Sequence, residues 1–265
     1  MLNTARVLVV GVLASVILTA TVVADHSWGS YHWARTANPF TLKVGDNVSS
    51  VWDGHLDTAI ADWNGSSVLA LTKETGGVAK ARNCRPTVGR IEVCSYRYGQ
   101  NGWLGIAQIW ISGDHITQAI TKLNDTYFST TTYNTPAWRD LVMCQEIGHD
   151  FGLDHQDETF DNSNLDSCMD YTNNPESNRH PNAHDYEELE AIYAHFDSTT
   201  TAAATKHPNG MPPAMGQIAF DTPAQWGRRI HASPNGRREM YEQDFGRGHK
   251  VITHVYWADP AADAH

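Results

Sequence analysis

Hydrophobic positions change period several times along the chain, and the changes divide it into elements. Residues 41–48, TLKVGDNV, mix apolar and turn residues as a short strand does, ending in the turn signals at 45–47. Val51, Leu56, Ile60 and Trp63 then recur at helical spacing. Ser50 with Asp53 three residues on predicts a capping-box-like start, and Asn64-Gly65 a stop. Trp52 and Trp63 are expected in the core of this helix. Residues 68–72, 90–97, 105–111 and 116–123 read as strands, separated by Gly, Asn and Asp.

A second helix opens with Thr135 as N-cap and Pro136 at its first position. Trp138, Leu141, Val142 and Ile147 continue it to about residue 151, where Gly152 can end it. After an Asn/Asp-rich loop, Tyr186, Leu189, Ile192, Tyr193 and Phe196 give residues 184–196 an amphipathic helical face. Residues 198–205, STTTAAAT, read as a linker. Beyond it, β-rich runs surround the turn Pro234-Asn235-Gly236 and predict a small C-terminal β appendage over 206–265. The class is α+β: a domain over 25–197, the linker, and the appendage.

Residues 1–24 stand apart. One basic residue, Arg6, precedes the apolar run of 7–23, and Val22 and Ala24 occupy small-residue positions before Asp25. This reads as a cleaved secretory signal, with a membrane anchor as the rival because the run approaches spanning length. The expected location is therefore extracellular or periplasmic. A net charge of −11 with no long Lys/Arg run argues against nucleic acid or an anionic membrane as the main partner.

Export permits disulfides, and the four cysteines are even in number with no CxxC. Three pairings are formally possible. Cys84 and Cys94 flank RPTVGRIEV, whose turn and strand signals let its ends meet, so local pairing is expected.

Candidate chemistry lies in residues 145–155, QEIGHDFGLDH. On a helix, Gln145 and His149 are one turn apart on one face, with Glu146 beside them. Gly152 permits a sharp exit that returns His155 toward His149. Two neutral imidazoles suit Zn²⁺, and an adjacent unligated carboxylate is the group needed to take a proton from an activated water.

Together with SCMDY at 167–171, this stretch resembles the metzincin zinc endopeptidases, whose helix motif HExxHxxGxxH is followed by a methionine-containing turn. The resemblance covers about residues 31–197, with matrixin-like members nearest in size. It implies a twisted mixed sheet with a backing helix, an active-site helix, a methionine turn and a closing helix. It further implies His149 and His155 as zinc ligands, Glu146 as general base, and Met169 beneath the metal. Tyr171 falls where astacin-like and serralysin-like members place a tyrosine that ligates zinc or stabilises an oxyanion; an ordinary core tyrosine is the alternative. Where the family has its first histidine, this chain has Gln145, whose amide oxygen is a weaker zinc donor. His180 and His184 are possible substitutes. A Cys144–Cys168 bridge would tie the helix to the methionine turn.

From 140 to 178 there are ten acidic residues and no Lys or Arg, a field that favours a dication. Calcium in DETFDNSNLD is conceivable, although the residues lack EF-hand spacing. The resemblance implies a secreted zinc endopeptidase acting on a protein or peptide laid antiparallel along an edge strand, here residues 102–112. The alternatives are a catalytically impaired zincin-like binding module, motivated by Gln145, and a carbohydrate-binding or adhesion protein using the Trp-rich surface.

Overall fold

Five strands form one half of the sheet in a computed structural model that describes residues 25–218 and 220–260. They are β2 (Phe40–Asn47), β3 (Leu69–Thr75), β4 (Arg90–Tyr96), β5 (Trp103–Ser112) and β6 (His115–Asn124). The expected signal segment, residues 1–24, lies outside the described residues. β2, β3, β4 and β6 pair in parallel, and β5 runs antiparallel to β6. β1 (His32–Trp33) lies beside the start of β6.

Three helices of ten or more residues accompany these strands: α1 (Asp53–Trp63), α2 (Pro136–His149) and α3 (Ala183–Ile192). α2 starts as its sequence dictates. Thr135 is extended, its hydroxyl accepts from Trp138 N–H, and Pro136 fills the first turn, where no intrahelical N–H is needed. α1 departs from the expected cap. It begins after Trp52, with no side-chain cap bond, because Ser49 and Trp52 close a turn ahead of it. Burial of the Trp52 indole, which donates to Asp125 Oδ1 at 2.7 Å, sets this entry in place of a Ser50 cap. α3 ends before Phe196, which is exposed, while the Tyr193 hydroxyl donates to Phe151 O.

The C-terminal β region is not an appendage set apart. β7 (Arg228–Ala232), β8 (Arg238–Asp244) and β9 (His249–Trp257) continue the same sheet, giving the order β3-β2-β4-β6-β5-β9-β8-β7. Nor is 198–205 a free linker: Thr201 N donates to Ala34 O and Ala203 N to Gly89 O. One face of the sheet packs on α1 and α2. On the other, Met215, Phe220 and Trp226 from the C-terminal region cover Trp103, Ile106, Trp110, Val251 and Val255. That second layer is why β5 is buried along nearly its whole length and reads as a continuous apolar run.

Two disulfides are formed. Cys84–Cys94 closes the segment before β4, and Cys144–Cys168 ties α2 to the loop carrying Met169.

Candidate metal centre

α2 delivers Gln145, Glu146 and His149, all fully buried. Gly152, at φ +98°, turns the chain sharply, and a side chain there would run into the Tyr31 carbonyl. The turn brings His155 back, so that its Nε2 lies 3.1 Å from His149 Nε2. His149 Nδ1 is 2.8 Å from Leu153 O and donates to it, which leaves the His149 Nε2 lone pair facing inward. His155 Nδ1 lies 3.3 Å from Asp154 Oδ1 without a hydrogen bond between them, while the His155 backbone N–H donates to that carboxylate at 2.9 Å. Two nitrogen lone pairs so close repel unless a cation or proton lies between them. Tetrahedral zinc with bonds of about 2.0–2.1 Å spaces its ligand nitrogens by roughly 3.3 Å, so the pair is close to metal-ligand spacing.

The other polar atoms here are buried and unspent. Gln145 Nε2 donates to Cys168 O at 2.8 Å, so its amide is oriented while Oε1 has no hydrogen-bond partner among the described residues. Neither Glu146 oxygen has one, nor does the Tyr171 hydroxyl, whose ring lies 4.3 Å from that of His155. Burial raises the Glu146 carboxyl well above the usual range, and nearby Asp150 adds to this. Burial also lowers His149 to about 3 and holds His155 well below the ordinary histidine value, keeping both imidazoles neutral as ligation requires. Such a donor set fits a dication.

Met169 packs against α2 at Gly148, where an added Cβ would lie 2.7 Å from its sulfur. Trp28 stacks on His149 at 5.1 Å between ring centroids. His180 and His184 are elsewhere, beside Asp62 and Asp25. The loop at 157–166 spends Asp157 on Thr159 N–H and Asn162 Nδ2, and Asp161 on Asn173.

A third histidine reaches this site from outside the local motif. His254, from the middle of β9, packs tilted against His149 and His155, its ring centroid 3.9 Å and 4.7 Å from theirs. Its Nδ1 is 3.9 Å from Glu146 Oε2, and one ring nitrogen from each of the three histidines falls within 4.8 Å of the others. Its Nε2 accepts from Arg238 Nε at 3.0 Å, so that lone pair is already engaged. The acidic field expected at 140–178 is met in part by the same arginine, whose guanidinium pairs with Asp154 and Glu158. Burial pushes Asp154 up, but Arg238, His149, His254 and the His155 backbone N–H together outweigh it and keep the carboxyl below its ordinary value. A sequence scan confined to 145–155 misses His254; its one mark there is a histidine inside the apolar run KVITHVYW.

A further group, His32, His195 and Asp197, lies between β1 and the chain after α3. Its carboxylate is already taken by Arg35 and His115.

No protein-family model matches the chain, and no curated protein matches it. Among solved structures it is similar to high choriolytic enzyme 1, a hatching enzyme zinc-protease from Oryzias latipes (medaka fish). That likeness has 13% identity and a TM-score of 0.36, and covers 64% of this chain and 98% of the other.

Proposed function

We propose that the chain is a secreted, metal-dependent endopeptidase with zinc as its metal, held by His149, His155 and the amide oxygen of Gln145. The observation that carries this reading is the facing Nε2 atoms of His149 and His155, 3.1 Å apart beside a buried carboxylate without hydrogen-bond partners among the described residues. When bound, zinc supplies positive charge that polarises a peptide carbonyl and acidifies a neighbouring water. Glu146 takes the proton from that water and returns it to the departing amine, the role open to a carboxylate held beside the ligands but free of hydrogen bonds. Tyr171 offers a buried hydroxyl that can donate to a developing oxyanion. The Leu153 carbonyl holds the His149 imidazole in the ligating orientation. Two disulfides support placement outside the reducing cytosol.

One observation favours the second reading, a zincin-like module that binds peptides without cutting them: Glu146 and His149 are wholly covered. Elemental analysis of the full chain, with fluorogenic peptide cleavage measured with and without chelator, separates the two. The peptidase reading expects stoichiometric zinc and chelator-sensitive cleavage that disappears in Glu146→Ala while zinc is retained. Bound zinc with no cleavage in any form, including the variants described next, supports the binding module.

A further inference from the structure

We infer that β9 is an internal occupant of the peptide groove, covering the metal centre from the side where substrate would enter. This rests on the peptidase reading. A peptide that adds to a sheet needs an unpaired strand edge, whose N–H and C=O groups it takes up. β5 is the strand lying against the catalytic helix, since a Cβ on its Gly105 would lie 2.6 Å from Glu146 Oε1. The edge of β5 not used by β6 is filled. β9 runs antiparallel along it from Trp103↔Trp257 to Ser112↔His249.

The register puts His254 opposite Ala107, midway along the ladder and over the centre. Its ring fills the space between Glu146 and the two imidazoles, where a scissile bond would have to lie. Because Arg238 donates to its Nε2, the neutral His254 ring carries its proton on Nδ1, so in this arrangement it fills space and presents no free lone pair to a cation.

The hairpin of β7 and β8, which pairs with the other edge of β9, is latched to the loop after α2. Arg238 joins Asp154 and Glu158, His231 Nε2 lies 2.9 Å from Glu158 Oε2, and Arg237 donates to Asn173 Oδ1 at 2.6 Å. Replacing β9 by an incoming extended peptide keeps a ladder on β5, so strand exchange opens the site without leaving backbone groups of β5 unpaired.

The test uses the zinc-loaded full chain and a fluorescent peptide hydroxamate, which needs both the groove and the metal. Anisotropy gives its affinity, and elemental analysis gives the zinc content. His254→Ala is expected to keep its zinc and bind the probe at least tenfold tighter than wild type. His254→Gln takes its place if the alanine variant does not fold. A second arm uses Gln108→Cys with Thr253→Cys, positions whose side chains touch across β5 and β9 at 2.9 Å. Its oxidised form is expected to exclude the probe, and mild reduction to restore wild-type binding.

Loss of zinc on removing His254 would make that residue a resident ligand and overturn the proposal. So would unchanged probe affinity in the His254 variants, or undiminished binding in the oxidised pair. If zinc stays and the probe binds more tightly but no peptide is cut, the groove assignment stands and the peptidase reading fails. A chain that holds no zinc overturns both.

Discussion

Gly105 of β5 and Glu146 of α2 are packed with no room for a side chain between them. A Cβ at position 105 would lie 2.6 Å from Glu146 Oε1 and 2.7 Å from Val142 Cγ1. Both neighbours are fully buried, so neither can swing clear without disturbing α2. Gly105→Ala should therefore destabilise the fold by about 1–3 kcal/mol, the usual range for overpacking. Calorimetry checks it; an unchanged melting temperature would show that α2 and β5 are less tightly set than described.

Gln145 is oriented by its bond to Cys168 O and leaves Oε1 for a cation. Gln145→His would exchange that amide oxygen for an imidazole. Zinc affinity measured by competition with a chromophoric chelator should rise by about tenfold or more, roughly 1.4 kcal/mol. Unchanged affinity would remove position 145 from the metal's surroundings.

The Cys144–Cys168 bridge spans 24 residues of sequence. Closing such a loop restricts the unfolded chain, and its loss costs about 3 kcal/mol in the loop-entropy account. Urea unfolding of Cys144→Ala with Cys168→Ala should show a deficit of that order. Because the bridge joins α2 to the segment whose carbonyl orients Gln145, zinc should also leave the variant faster. Equal unfolding midpoints would contradict the role given to the bridge.

Asp197 is drawn into the fold by Arg35, His32 and His115. Burial raises its pKa, but the Arg35 backbone N–H and the His32 imidazole outweigh that and bring it down to about 2. An unfolded aspartate titrates near 3.9, so the unfolded chain takes up the proton first as pH falls. The group's stabilisation is present above about pH 4 and is lost as pH drops through its folded value near 2. Asp197→Asn should be less stable at neutral pH and should lose less further stability over this acid window than wild type. Parallel stability curves for the two proteins would count against it.

What was legible in the sequence was what short-range chemistry controls. Thr135-Pro136 marks the start of α2 because a cap and a fixed φ act within one turn. Gly152 marks the turn that returns His155, since both the positive φ and the close Tyr31 carbonyl demand glycine. α1 was mis-started because the pull of Trp52 into the core outweighs an available Ser50 cap, and burial is not encoded in three residues. The C-terminal strands read correctly as β, but their partner did not. β5 is far away in sequence, and an alternating pattern does not name the strand it pairs with. His254 was missed for the same reason: it reaches His149 through that pairing alone.

Zinc retention by the full-length chain tests the central claim most directly, measured by elemental analysis after dialysis for wild type, His149→Ala, His155→Ala and Glu146→Ala. The facing imidazoles require stoichiometric zinc in wild type, affinity weakened by about 100-fold or more in each histidine variant, and zinc retained when Glu146 is replaced. Wild-type protein without zinc, or histidine variants that hold it as firmly as wild type, would contradict the metal centre built on His149 and His155.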